Sequence, residues 1–522
     1  MTAITPRHEV EDKGLKAGAV GFWASIGVGL ASTAPAYSLA ATLAFVVGVA
    51  GLVSPLVVIL AFIPMFLCSW AIKEMNAVDP DCGTSFTWAW RAIGPRTGWF
   101  AGGWGTIASD FLAMASYSQI AGQYFFLLIG ASAIGGDPTS GWVLLVGIAW
   151  IVILTWICYI GIEISARLQV ALVVIEVIML VTLGVVALAK VIFGGAPSYH
   201  IDPSWSWLNP GGFASFGRFA QAMLFMVFIY WGWDTTTSIN EETDDPGRIP
   251  GIAGVVSTVI LLITYLLVTT SVQAYAGIGT HGIGLNNAAH QNDVLSVLGA
   301  SVFGHGVVGT ILTKLLLVMV LTSAAATTQT TILPNARTML SMAFHRALPR
   351  VFGRVHPRFR TPTVSTVSFS IASIIFYLAL NFVSGGGVLG DAVSATTFFA
   401  AVYLGISSAA CMWHFRDRAF SHWRDSLSKF WVPLASTVLM YALVIYNAIY
   451  LGHAENSYVT INLPIFGTVG TAIFIVIVTA IIGLLCMEAC RRTSPRFFLD
   501  KAMRYGPSLT DEGTVVALAP ED

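Results

Sequence analysis

Asp110, Glu176, Asp234 and Lys314 are the four charged side chains that sit well inside the long apolar stretches of this 522-residue chain. A charge near the centre of a bilayer costs about 2.5–3.5 kcal/mol on insertion scales. Residues that expensive line an ion or substrate path, or pair with one another. Three acids and one base at such depth therefore mean cation binding, proton carriage or mutual neutralisation.

The elements that must position them are transmembrane helices. The chain is 56% hydrophobic and 10% charged, the composition of a polytopic membrane protein. Its net charge of −1 gives no footing for nucleic acid. Twelve stretches reach the roughly 20 residues needed to span a bilayer. They lie near 17–48, 51–73, 97–130, 141–162, 167–190, 215–241, 251–278, 302–338, 363–385, 389–413, 430–451 and 463–488. Residues 1–16 are polar and the apolar run from Ala17 is too long for a signal sequence, so no cleavable leader is expected.

Of the 26 lysines and arginines, all but Lys190, Arg218 and Lys314 fall on one side if the N-terminus is inside. That asymmetry puts both termini in the cytoplasm, and the expected location is the plasma (inner) membrane. The loop from Arg346 to Arg360 is read as a topology anchor. The six cysteines lie in spans or on the cytoplasmic side, which suggests no disulfide. No span holds a His-x₃-His, a Cys/His cluster or clustered nucleophiles, so neither an enzyme nor a metal or other cofactor is expected. A channel would want a continuous polar pore or charged rings, not isolated charges.

Two spans carry breaks. Span one contains Gly27-Val-Gly-Leu-Ala-Ser-Thr-Ala-Pro35, and span six contains Phe228-Ile-Tyr-Trp-Gly-Trp-Asp234-Thr-Thr-Thr. Proline removes a backbone donor and glycine weakens the helix, so both can unwind near mid-membrane. Unwound backbone at that depth is tolerated only against protein or a watery cavity. Interrupted spans at matching places in two halves point to a transporter's binding site.

Four stretches then resemble the amino acid–polyamine–organocation (APC) superfamily of permeases. They are Asp79-Pro-Asp-Cys-Gly-Thr-Ser-Phe-Thr-Trp-Ala-Trp-Arg-Ala-Ile-Gly-Pro95 with Gly98-Trp-Phe-Ala-Gly-Gly-Trp104, and Gly161-Ile-Glu-Ile-Ser-Ala-Arg-Leu-Gln169. The others are Gly232-Trp-Asp with Glu241-Glu-Thr-Asp-Asp-Pro-Gly-Arg-Ile-Pro250, and Asn335-Ala-Arg337 with Met342-Ala-Phe-His-Arg-Ala-Leu-Pro349 and Val355-His-Pro. The resemblance implies an all-α fold of two five-helix inverted repeats (LeuT-like) plus two helices. The first repeat would cover 17–190, the second 215–413 and the extra pair 430–488, between cytoplasmic segments 1–16 and 491–522. It also implies an amino acid or small amine bound at the two breaks, around Ala31, Ser32, Thr33, Ala34, Tyr230, Trp231, Gly232, Trp233 and Asp234. In the family, backbone N–H groups of the first break hold a substrate carboxylate. Where relatives often carry Gly-Ser-Gly, this chain has Ala31-Ser-Thr-Ala-Pro35, whose side chains crowd that approach and leave room for an amine.

Each charge has competing roles. Glu176 stands where proton-coupled relatives often carry a lysine. In low dielectric its charged form is disfavoured, so it either loads and releases a proton or stays protonated against a neighbouring helix. Asp110 and Lys314, on equivalent spans of the two repeats, are expected to form a scaffold ion pair, with substrate contact by Asp110 the alternative. Asp234 either caps the inner half-helix or accepts a substrate ammonium. Ser323, Thr327 and Thr331 form a hydroxyl face suited to helix–helix hydrogen bonds or, as in sodium-dependent relatives, to an ion. Glu241 and Glu242 are expected to pair with Arg167 or Arg337 as an inner gate. The reading is a secondary active transporter of an amino acid or amine, coupled to protons. An uncoupled exchanger is its first rival, and a sodium symporter or channel the next.

Overall fold

The computed structural model describes residues 12–287, 294–384, 389–457, 459–463 and 467–499. Most of the expected segment 1–16, most of the tail 491–522 and the loop at Val388 lie outside them. Nine helical stretches among the described residues are long and apolar enough to cross a bilayer, so the chain is a multi-pass membrane protein. One of them, Phe22–Val78, covers the first two expected spans as a nearly continuous run.

The helices that build the site are α1 (Phe22–Thr33), α2 (Pro35–Ala50), α3 (Ser54–Val78), α4 (Gly105–Leu128) and α5 (Ile162–Phe193). They continue with α6 (Phe216–Tyr230), α7 (Thr235–Ser238), α8 (Ile249–Ala276), α9 (Val307–Phe344) and α10 (Leu389–His414). The expected third span opens with a π-helical stretch, Gly98–Trp104, before α4 begins. α4 is less apolar than its neighbours because Thr106, Ser109, Asp110, Ser116, Ser118 and Gln119 are all buried on it. A helix with that many inward polar groups must face protein rather than lipid.

α5 shows how sequence sets orientation. Val174, Ile175, Ile178 and Val185 are exposed, while Glu176, Leu180, Leu183 and Ala187 are buried. The buried set recurs every three to four residues, one stripe of a 3.6-residue helix. The outer stripe meets lipid and the inner one carries the carboxylate into the bundle. α1 packs on α5, α8 and α9; α4 packs on α9 and α10; α3 packs on α8. Lipid offers no hydrophobic drive for such packing, so close fit and interhelical hydrogen bonds hold the bundle together.

One segment read as plain loop and helix start forms a small antiparallel hairpin instead, Thr460–Leu463 against Gly467–Gly470, with Thr460 opposite Gly470. The alternating Thr-Ile-Asn-Leu pattern was masked by the apolar run that follows it.

Candidate functional site

Both breaks occur, and they touch. α1 ends at Thr33, Ala34 adopts a left-handed conformation (φ +46°), and α2 restarts at Pro35. Proline suits the first position of a helix because its missing N–H would have had no partner there. The Ala34 N–H bonds Ala31 O at 3.2 Å and Thr33 Oγ1 donates to Leu30 O at 2.7 Å, so the break is locally satisfied. In the second break α6 ends at Tyr230, Trp231 is extended, and Gly232 takes φ +119°. A Cβ on Gly232 would lie 2.6 Å from Ser32 O. Only glycine permits both that φ and that backbone-to-backbone approach. Ser32 Oγ and Thr235 Oγ1, 2.8 Å apart, tie the two breaks together.

Around this junction lies an enclosed cavity of about 10 Å³, lined by Ser32, Thr106, Asp110, Tyr117, Trp231, Gly232, Asp234, Thr235, Thr331, Pro334 and Tyr403. That volume holds about one water, so a substrate needs the walls to part. Of the nine residues expected at the site, Ser32, Trp231, Gly232 and Asp234 line the cavity. Ala31, Thr33 and Ala34 instead form the break. Tyr230 is fully buried with its hydroxyl on Val58 O at 3.2 Å, and Trp233 is buried against Gly254.

Asp234 stands at the N-cap position of α7, yet its side chain makes no capping bond. Its Oδ2 accepts from the Tyr403 hydroxyl at 2.8 Å, and Tyr403 in turn accepts from Trp231 Nε1. Asp110 does not pair with Lys314. Its Oδ2 accepts from Asn335 Nδ2 at 2.6 Å, while the exposed Lys314 donates to Leu128 O at 3.1 Å. The two residues point to opposite surroundings, one to the cavity and one to the rim of its helix. Asn335 was legible only as part of a motif; Thr106, Tyr117 and Tyr403 carried no sequence signal beyond being polar or aromatic within apolar runs.

Glu176 reaches the first break. Its Oε1 accepts the Ala36 N–H at 2.6 Å and the Ser323 hydroxyl at 2.7 Å. Thr327 Oγ1 donates to Ala31 O at 2.9 Å, and Thr331 lines the cavity. Two hydroxyls of this α9 face are thus spent on hydrogen bonds, Ser323 on Glu176 and Thr327 on the first break, while Thr331 lines the cavity.

Among the described residues, a buried Arg337–Glu242 pair and a buried cluster around Lys13 sit at the end of the bundle nearest the N-terminal segment. Arg337 meets Glu242 through two bonds, Nε to Oε2 at 2.6 Å and Nη2 to Oε1 at 3.0 Å. Arg167, by contrast, is exposed, and Glu241 takes a different partner, Lys13. Lys13 Nζ lies 2.5 Å from Glu241 Oε1 and 3.1 Å from Asp81 Oδ2. Asp81 also accepts from Gly83 N–H, Thr87 and Ser341, and contacts His345 Nε2 at 3.1 Å. Burial alone would raise the Asp81 carboxyl, but Lys13, His345 and Arg91 hold it well below the usual carboxylate range. Burial would likewise lower the Lys13 ammonium, and Asp81, Cys82 and Glu241 overcome that and hold it well above. Asp81, Cys82 and Glu241 are close enough to resemble a metal-ligand set, but the Lys13 ammonium already bonds both carboxylates. Lys13 escaped sequence reading because a lysine in a polar segment has no distinguishing pattern.

Two interrupted helices thus meet at a buried polar cavity inside a multi-pass membrane bundle. A family model described as amino acid permease matches residues 20–474, and the chain belongs to that family. The branched-chain amino acid permease BcaP of Bacillus subtilis is 26% identical over 337 residues, 61% of this chain and 65% of that protein. The chain thus aligns with somewhat less than two thirds of that relative. The low-affinity putrescine importer PlaP of Escherichia coli K12 is 23% identical over 374 residues, 70% of this chain and 74% of that one. The solved structure of MhsT in complex with L-phenylalanine superposes with a TM-score of 0.55 at 14% identity, over 81% of this chain and 98% of that one. At that identity the likeness speaks for a shared fold.

Proposed function

We propose that the chain is a secondary transporter that moves an amino acid or small amine across the plasma membrane by alternating access, and not an enzyme. The observation that carries this reading is the backbone contact of Ser32 with Gly232 beside an enclosed cavity bearing Asp110 and Asp234. Two half-helices meeting at one point let either side open while the contact acts as a fulcrum. The importer and permease named above, whose substrates are a diamine and branched-chain amino acids, support the same substrate range. In this reading twelve spans form two inverted five-helix repeats plus two, with both termini cytoplasmic. The Arg337–Glu242 and Lys13–Asp81–Glu241 pairs then close the cytoplasmic side.

Coupling to protons falls to Glu176, which links the first break to α9 through Ala36 and Ser323. Protonation would weaken the charge-assisted bond to the Ala36 N–H and loosen the two helices from each other. Reconstituted uptake with and without a pH gradient tests this. Glu176→Gln is expected to keep exchange and lose accumulation driven by the gradient. Accumulation that survives in that variant would refute coupling through Glu176. Uptake that follows sodium would point to Ser323 and Thr327, and exchange without any ion would leave an antiporter. Ser32→Trp, which fills the cavity, should abolish transport in protein that still folds.

A further inference from the structure

The first turn of α2 is where a substrate carboxylate would be held, because unpaired N–H groups and the positive end of a helix dipole favour an anion. Here no N–H of that turn is open. Pro35 has none; Ala36 donates to Glu176 Oε1 at 2.6 Å; Tyr37 donates to Ser323 Oγ at 3.3 Å; Ser38 donates to Ala34 O at 2.8 Å. The Ala34 N–H bonds Ala31 O. Ser323 passes its own hydroxyl proton on to the same Glu176 oxygen at 2.7 Å. Glu176 is 1% exposed, and its second oxygen, Oε2, is buried with no hydrogen-bond partner among the described residues. The helix end is therefore filled by a carboxylate of the protein itself.

The cavity has the opposite bias. Among the described residues it is lined by two carboxylates, Asp110 and Asp234, and by no lysine, arginine or histidine. Trp231, Tyr117 and Tyr403 add aromatic rings, which favour an organic cation over an anion. A zwitterion brought here would place its ammonium well and its carboxylate badly, facing like charges at the cavity and an occupied helix end.

We propose that Glu176 takes the place of a substrate carboxylate at the α2 N-terminus, and that the transporter is thereby selective for carboxylate-free primary amines over the corresponding amino acids. This inference rests on the substrate site proposed above. Glu176 is a specificity-determining residue in it, acting through the helix end rather than through the amine.

The test uses full-length protein in proteoliposomes and substrate pairs that differ only by the carboxylate: lysine with cadaverine, leucine with isoamylamine. Counterflow exchange is measured, so that coupling does not enter. The amine of at least one pair is expected to exchange about tenfold faster than its amino acid, the ratio that 1.4 kcal/mol of lost binding produces. Glu176→Gln keeps volume and acceptor but removes the charge, and should shrink that ratio at least about threefold. A merely structural role would slow both members alike and leave the ratio unchanged, which would overturn the assignment to Glu176. Exchange of the amino acids in preference to their amines would overturn the inference while leaving the transporter reading intact. Failure of every pair in folded protein would overturn the site reading and this inference with it.

Discussion

Replacing Gly232 with alanine probes the junction of the two breaks with a single methyl group. The added Cβ would lie 2.6 Å from Ser32 O, 2.8 Å from Ser32 C and 3.1 Å from Thr33 N. All three are backbone atoms, which cannot swing aside as a flexible side chain can. Holding a non-glycine residue at φ +119° costs about 1–3 kcal/mol. Overpacking a well-filled contact costs about as much again, so the total is about 2–6 kcal/mol. Gly141→Ala is the control, since a Cβ there meets nothing within 4 Å and its φ is ordinary. Thermal unfolding of purified protein in detergent and uptake in proteoliposomes are measured on both. Gly232→Ala is expected to melt clearly below the parent and to lose transport, and Gly141→Ala to match the parent in both. A Gly232→Ala protein of parental stability and uptake would mean that the breaks do not press on each other, and the fulcrum would be lost.

Arg337→Met or Glu242→Gln alone strands a buried partner and should cost about 3–5 kcal/mol in unfolding, with much of the loss recovered in the double variant. Equal losses that simply add would show the pair to be unimportant. Asp110→Asn and Lys314→Met should instead be additive within about 0.5 kcal/mol, because the two residues do not meet, and Asp110→Asn should weaken amine uptake. Strong coupling in that cycle would restore the scaffold pair. The Lys13–Asp81 pairing has a definite pH window. Asp81, with its carboxyl held low, contributes above about pH 3.9 and loses that as pH falls through its depressed value. Lys13, with its ammonium held high, contributes below about pH 10.4 and loses that as pH rises through its elevated value. Lys13→Met strands two buried carboxylates, Asp81 and Glu241, and burial then raises both without the ammonium to oppose it. The loss in melting temperature should therefore grow as pH rises from about 5 to 9, where those acids become charged in the variant. A cost that stays flat or shrinks across that range would refute the assignment.

The breaks were legible because proline and glycine change backbone geometry wherever they fall. Pro35 and Gly232 needed no tertiary information to be found. The depth of Asp110 and Glu176 was legible for the same kind of reason, as cost in hydrocarbon. Their partners were not. Asp110 turns toward Asn335 rather than Lys314, and Glu241 toward Lys13 rather than Arg167, because azimuth around a helix and the path of a polar segment depend on packing across the bundle. Tyr403 and Thr106 reach the cavity from helices whose sequence offers many equivalent hydroxyls. The family resemblance supplied order along the chain but no facing.

Two turns of α9 gather what the rest of the molecule keeps apart. Thr331 and Pro334 wall the cavity, Asn335 holds Asp110 and bonds back to Thr331 O, and Arg337 locks Glu242. Pro334 cannot donate to the carbonyl one turn earlier, so this is also where the helix is weakest against bending. If the chain transports as proposed, cargo and latch ride on the same hinge pin. A bend there would shift the carboxylate tether and the guanidinium together, and so the cavity and the ion pair beneath it as one mechanical part.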